Sequence, residues 1–219
     1  MSVHLRPEEI EAQSFAMIDA EVGDHPWSAA QWPVVRRVIH TSADFEYARS
    51  MVFSSTAIAA GVAALAHGRG IVTDTTMALA GIAKPRLARF GIRGSCFVAD
   101  PDVAQKAKAQ GITRSILAMR RGVAEPENGI FVIGNAPTAL FELIRLIREE
   151  GVRPDLIVGL PVGFVGAAES KAALVELERE FPEIPFITNR GRKGGSNVAA
   201  AVVNALLILA DEKSAPTAI

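Results

Sequence analysis

Two rhythms of apolar and polar positions run along the chain. Up to about Gly68, apolar residues recur at helical spacing. "RPEEIEAQSFAMIDAEV" places Ile10, Met17 and Ile18 on one helical face, with Ser14 on that same face. A second helix is predicted from about Ser28 to His40, with Pro33 in its first turns. Asp44 or Ser42 is placed to cap a short third helix. "SSTAIAAGVAALAHG" reads as an Ala-rich buried helix ending at Gly68.

From Gly70 the rhythm shortens. The runs "GIVTD", "SCFVA", "GIFVIG", "DLIVGL" and "IPFIT" read as strands, and four of the five are almost continuously apolar. That pattern belongs to strands covered on both faces. "GIFVIG" leads into a helix that carries Ala136, Leu140, Leu143, Ile144 and Ile147 on one side. Glu142, Arg145, Arg148 and Glu149 lie largely elsewhere on it. Strand, Gly-bearing turn and helix recur at "GLPVGFVGAAESK" and at "ITNRGRKGGSNVAAAVVNALL". The alternation predicts an α/β fold: a parallel, doubly wound sheet of about five strands flanked by helices, with a helical N-terminal segment. A single domain over 1–219 is expected, with a disordered tail from about 212.

Ligands of open parallel sheets bind outside the carboxyl ends of the strands. Those ends carry the polar, Gly-rich pieces "TDTTMALAG", "GNAPT", "PVGFVGAAES" and "NRGRKGGSN". Composition narrows the chemistry. The 219 residues are 49% hydrophobic and 21% charged, with a net charge of −1, so nothing global points to nucleic acid or an anionic membrane. The lone Cys96 excludes an internal disulfide, and the N-terminus has no apolar signal region; a cytoplasmic protein is expected. The apolar run "VAAAVVNALLILA" is too short to span a bilayer. Its Ala-rich face, and that of "STAIAAGVAALA", offer flat, closely packing helix faces.

The four histidines (His4, His25, His40, His67) are scattered, so no metal site is expected. No nucleophile elbow, P-loop or dinucleotide fingerprint occurs. "GRKGGSN" is rich in backbone N–H groups and positive charge; Arg192, Lys193, Gly195 and Ser196 form the best local anion-binding candidate. Thr113 and Arg114 stand where a new helix begins, a natural anion site. Thr75 and Thr76 are placed to cap the helix after the first strand. Asn135 and Thr138, at the third strand end, can bond a ligand carboxylate or hold the turn. Cys96, Trp27 and Trp32 read as core. From the loops alone, a nucleotide- or sugar-phosphate-binding enzyme stays open.

The blocks "RVIHTSADFEYA", "TDTTMALAGI", "QGITRS", "GNAPTALFELI", "PVGFVGAAESK" and "GRKGGSNVAAAVVNALL", taken in order, resemble the precorrin-8X methylmutase family of cobalamin biosynthesis. The resemblance runs from about Ile10 to Leu209. "HTSADF" and "DTTMALAGI" look more like the family's cobalt-precorrin-8 branch. The resemblance implies an isomerase. A methyl group migrates from one corner carbon of the tetrapyrrole to its neighbour, giving hydrogenobyrinate or its cobalt form. It also implies a single α/β domain, a homodimer and no cofactor.

Under that resemblance His40 matches the family's catalytic histidine, a proton donor or acceptor at the ring. Arg37, Arg114 and Ser14 match positions near the substrate. A helix end and substrate carboxylates favour the imidazolium, whereas Arg37, one turn earlier, opposes it unless a carboxylate pairs with it. Structural alternatives stand beside each: a surface or capping role for His40, a solvated Arg37, and for Ser14 a bond back to a helix carbonyl. A corrinoid carrier of the same fold is the rival reading; it has no need of His40.

Overall fold

The computed structural model describes residues 6–214. Its elements are, in order, α1 (Pro7–Val22), α2 (Trp32–Ser42), α3 (Tyr47–Ser50), β1 (Met51–Phe53), α4 (Ala57–Ala66), β2 (Gly70–Thr73), α5 (Thr76–Gly81) and α6 (Lys84–Arg89). Then come β3 (Gly94–Ser95), α7 (Pro101–Gln110), α8 (Arg114–Ala124), β4 (Asn128–Ile133), α9 (Pro137–Glu150), β5 (Leu156–Gly159), α10 (Ala167–Leu177), β6 (Phe186–Asn189) and α11 (Ser196–Ser214).

The sheet has six strands in the order β1-β6-β5-β4-β2-β3, all parallel except β1, which pairs antiparallel with β6. The expectation of about five strands missed β1. In "SCFVA" only the first residue, Ser95, is strand: β3 pairs Gly94 and Ser95 with Ile71 and Val72, and the chain then turns toward Pro101. The central strands face two cores by strict alternation. Ile71, Ile130, Val132, Leu156, Val158 and Ile187 join the core under α2, α4 and α11. Val72, Phe131, Ile133, Ile157 and Phe186 join the core under α8, α9 and α10. That two-sided burial explains the continuous apolar runs.

Several local expectations need correction. Of the α1 residues placed on one apolar face, only Ile18 is buried; Ile10 is 49% and Met17 71% exposed. Helix α2 starts at Trp32, with Pro33 in its first turn, and continues past His40 to Ser42. There Ala43 stops it in a left-handed conformation, φ 52°. The Ser42 hydroxyl donates to the Val38 carbonyl at 2.8 Å and accepts the Asp44 N–H at 3.3 Å, while the Asp44 carboxylate accepts the Glu46 N–H at 3.0 Å, just before α3. The Ala-rich face of α11 is no free surface: Ala199, Ala200, Ala201, Val202, Val203, Leu206 and Leu207 are all buried within the chain. On α4 an exposed row survives at Ala59, Ala63 and Ala66. Helix α11 runs to Ser214, past the expected start of the tail; the rest of that tail lies outside the described residues.

The topology fixes where a ligand can sit. β2 connects to β3 through α5 and α6, and Ile82 and Leu87 of that connection belong to the first core. β4 connects to β5 through α9, which belongs to the second. Neighbouring strands β2 and β4 thus send their chains to opposite faces, leaving a crevice at their carboxyl ends. Asp74, 1% exposed, closes the bottom of that crevice. Its carboxylate accepts the backbone N–H groups of Gly134 (2.9 Å), Asn135 (2.9 Å) and Ala136 (2.7 Å). Burial pushes its pKa up against the lowering effect of these donors, and burial prevails.

Asp74→Asn keeps the size but turns an amide NH2 toward donors that need an acceptor. A buried donor left unpaired costs about 1–3 kcal/mol, so the variant is expected to lose about 2–3 kcal/mol of unfolding free energy in urea titration. A loss below about 0.5 kcal/mol would show that the turn holds itself.

Candidate active site

His40 stands on the solvent side of α2, whose other side is fixed by the buried Val34, Val35, Val38 and Ile39. Phe15 of α1 meets its ring edge-on, with centroids 5.2 Å apart. Two hollows open on either side of the imidazole. One, of about 320 Å³, is lined by Arg37, His40, Thr41, Gly81, Asn197, Ala200, Ala201 and Asn204. The other, of about 250 Å³, is lined by Ser14, Met17, Ile18, Glu21, Ile39, His40, Ala43 and Phe45. Gly81, the last residue of α5, and Ala200 both line the first hollow, and a Cβ on Gly81 would come within 2.9 Å of Ala200 Cβ. Small residues there let α5 and α11 approach closely.

Arg37 does not confront His40 as a free cation. Its guanidinium donates to Glu11 at 3.0 Å, and that bond, with smaller help from the charges of Arg37 and His40, holds the Glu11 carboxyl low despite some burial. Both Arg36 and Arg37 lie over the Phe15 ring, at 4.4 and 5.2 Å from its centroid. The Ser14 hydroxyl donates to the Ile10 carbonyl at 2.8 Å, the back-bond of a helical serine, yet the side chain still borders the second hollow.

The strand ends make the floor beside this group. Thr75 is the N-cap of α5, accepting from Ala78 N–H at 3.1 Å, while Thr76 is the exposed first residue of the helix. The Thr75 hydroxyl also lies 2.8 Å from Ser196 Oγ, at the start of α11. Asn197, next in α11, lines the first hollow with His40. The β2 end, the α11 start and the histidine are therefore contiguous. Asn135 is exposed just above the Asp74 staple. Thr113 donates to Thr138 at 3.1 Å, which sets the start of α8, and with it the exposed Arg114, against the start of α9.

The glycine loop before α11 divides its charges. Arg192 is exposed and lies 5.8 Å from the Phe164 ring. Lys193 is already engaged: its ammonium reaches Asp44 at 2.6 Å and Glu46 at 2.8 Å, and those two bonds raise its pKa. Gly195 is buried with φ 139°, and its N–H donates to the Leu160 carbonyl at 3.0 Å.

The structure thus gathers Ser14, Arg37 and His40 into one group, and Thr75 and Ser196 beside it. It seats Thr113, Arg114 and Asn135 at the neighbouring helix starts. No described contact joins Arg114 or Arg192 to His40. Sequence reasoning passed over Asp74, Asn197 and Lys171. The first two stand inside blocks already marked as polar strand ends, which was the available signal. Among the described residues no group of three His, Cys, Asp or Glu is placed to hold a metal, and no helix is long and apolar enough to cross a membrane.

The family model for precorrin-8X methylmutase matches residues 9–209 of the chain. A cobalt-precorrin-8 methylmutase of Priestia megaterium is 50% identical, over 94% of this chain and 90% of that protein. One from Salmonella typhimurium is 48% identical, over 92% and 95%. A precorrin-8X methylmutase of Pseudomonas aeruginosa is 42% identical, over 89% and 91%. Among solved structures, the precorrin-8X methyl mutase of Thermus thermophilus superposes with a TM-score of 0.84 at 39% identity, covering 94% of this chain and 99% of that one.

Proposed function

Because this chain belongs to the precorrin-8X methylmutase family, we propose that it acts on precorrin-8X or its cobalt form through His40. The activity is an isomerisation in cobalamin biosynthesis. One C–C bond to a methyl group breaks and another forms within the same tetrapyrrole. Nothing enters or leaves except protons that return. The protein's task is to hold the macrocycle and supply a proton where the ring's conjugation changes.

The observation that carries this reading is His40 between two hollows, on a helix whose buried face fixes it. A flat macrocycle lying across the strand ends presents its edge to that imidazole. Its acetate and propionate groups call for donors around the rim. Exposed Arg114 and Arg192, with Asn135 and the Thr75–Ser196 pair, supply them. Ser14 and Arg37 line the hollows beside His40, and Thr76 and Thr113 stand at helix starts; Lys193 contributes through its ties to Asp44 and Glu46 rather than as a free cation. No cofactor is required by this chemistry.

A homodimer is part of the proposal. The exposed Phe164 and Val165, at 87% and 89%, and the free Ala row of α4 support it; the buried face of α11 does not. Light scattering at micromolar protein is expected to give twice the mass of the chain, and a single-chain mass overturns this.

His40→Asn keeps much of the shape and loses the acid. Positioned proton transfer is worth about 10²–10⁴-fold, so single-turnover formation of the corrin chromophore is expected to slow by that order. Product affinity should hardly change, since the loss lies in the transition state. Wild-type turnover in this variant would remove His40 from the chemistry. Arg114→Ala, titrated with product, is expected to weaken binding by about 1–3 kcal/mol, the worth of a charge-assisted bond. An unchanged dissociation constant would take Arg114 off the rim.

A further inference from the structure

Lys171 is 1% exposed, in the second turn of α10, among the largest fully buried side chains of the protein. Lysine is almost never buried to that degree without a partner of opposite charge. Here no carboxylate reaches it among the described residues. Its ammonium donates to the Asn189 side-chain oxygen at 3.1 Å and to the Lys193 carbonyl at 2.5 Å. Asn189, itself 1% exposed, donates to that same carbonyl at 2.9 Å and to the Arg190 carbonyl at 3.0 Å. Two buried side chains thus grip one carbonyl of the glycine loop.

The next residue shows how tightly the loop is seated. A Cβ on Gly194 would lie 2.3 Å from the Leu160 carbonyl oxygen and 2.6 Å from that of Pro161, so only glycine fits. From the outer end of the same residue, the Lys193 ammonium reaches Asp44 and Glu46. Asp44 lies one residue beyond Ala43, whose left-handed turn ends α2 three residues after His40. Lys193 therefore links a buried anchor at its carbonyl to the histidine segment at its side-chain tip.

We propose that Lys171 is a positioning residue for the methyl migration, fixing the Lys193 main chain so that the Lys193 ammonium can hold the 44–46 segment and, with it, the end of the His40 helix. The proposal rests on the methylmutase reading above. The chemistry of the site favours it over a purely structural role. A buried ammonium without a counter-ion is destabilising, and an apolar side chain of similar volume often serves a core at least as well. Burial alone lowers its pKa to about 8. A cost of that kind is expected where function depends on it.

The experiment is a double-mutant cycle on the full-length enzyme with Lys171→Met, Lys193→Ala and the double variant. Single-turnover conversion of precorrin-8X gives one readout and amide hydrogen exchange across residues 189–196 the other. Each single variant is expected to slow turnover by about 10- to 100-fold, the scale of a misplaced catalytic group. The double variant should be no slower than the slower single one. Exchange in 189–196 should rise at least about tenfold in Lys171→Met, and β4 should stay unchanged. Lys171→Gln, which keeps a donor without the charge, should fall between Met and wild type. Fold-changes that multiply, or a folded Lys171→Met with wild-type rate and exchange, would overturn the proposal. So would loss of the fold in both Lys171 variants, which would assign the residue to stability alone. Wild-type protein inactive on precorrin-8X would instead count against the methylmutase reading, while the exchange arm still reports the grip of Lys171 on the loop.

Discussion

The buried Asp74 carboxylate is the tie on which the geometry of the site depends. A doubly wound sheet must part its chains somewhere, and here it parts between β2 and β4. Such a crevice has backbone N–H groups at the turn after β4 that no strand partner can satisfy. Asp74 answers three of them at once, from the end of the opposite strand. The crevice thereby acquires a fixed width, set by hydrogen bonds rather than by loose packing. Thr75, the next residue, carries the same strand end across to Ser196. Two consecutive residues thus lock β2 to the turn after β4 and to the start of α11.

What the sequence made legible follows from how strongly burial patterns a segment. β2, β4, β5 and β6 are covered on both faces, and their apolar runs stood out. β1 did not, because three residues flanked by serines carry too little pattern and its antiparallel pairing leaves it at an edge. β3 was overdrawn for the opposite reason. Phe97 is buried and apolar, but it serves the second core from beyond the strand. Ile10 and Met17 sit at helical spacing with Ile18 yet face outward, since the moderate contact of α1 with α2 buries little of its surface.

Among the site residues, those of polar strand ends and helix starts were legible, because loops there are both exposed and Gly-rich. The pairings were not. That Lys193 is bound by Asp44 requires residues 149 apart in sequence to meet. Nor does anything in "ESK" distinguish Lys171 from a solvated lysine; only the fold turns it inward. Glu142 teaches the same lesson on a smaller scale. It was placed with the outward charges of α9 but is 6% exposed. Burial pushes its carboxyl up, and bonds from Arg145 and Arg120 outweigh that and hold it low.

A polyanionic macrocycle bound by a chain of net charge −1 requires that positive charge be kept for it locally. The cations of the described residues fall into two sets. Arg36, Arg37, Arg120, Arg145 and Lys193 are tied to carboxylates and build the frame. Arg114 and Arg192 are exposed, and neither has an ion pair among the described residues. An intramolecular migration needs no second reactant to be captured. On the proposal that His40 transfers the proton, rate enhancement depends on how well the ring's reacting edge is held against it. That favours a rigid frame over a crowd of catalytic groups. His40 stands on such a frame: the underside of its helix, Val34, Val35, Val38 and Ile39, is buried, and the loops beside it are fixed by buried polar side chains.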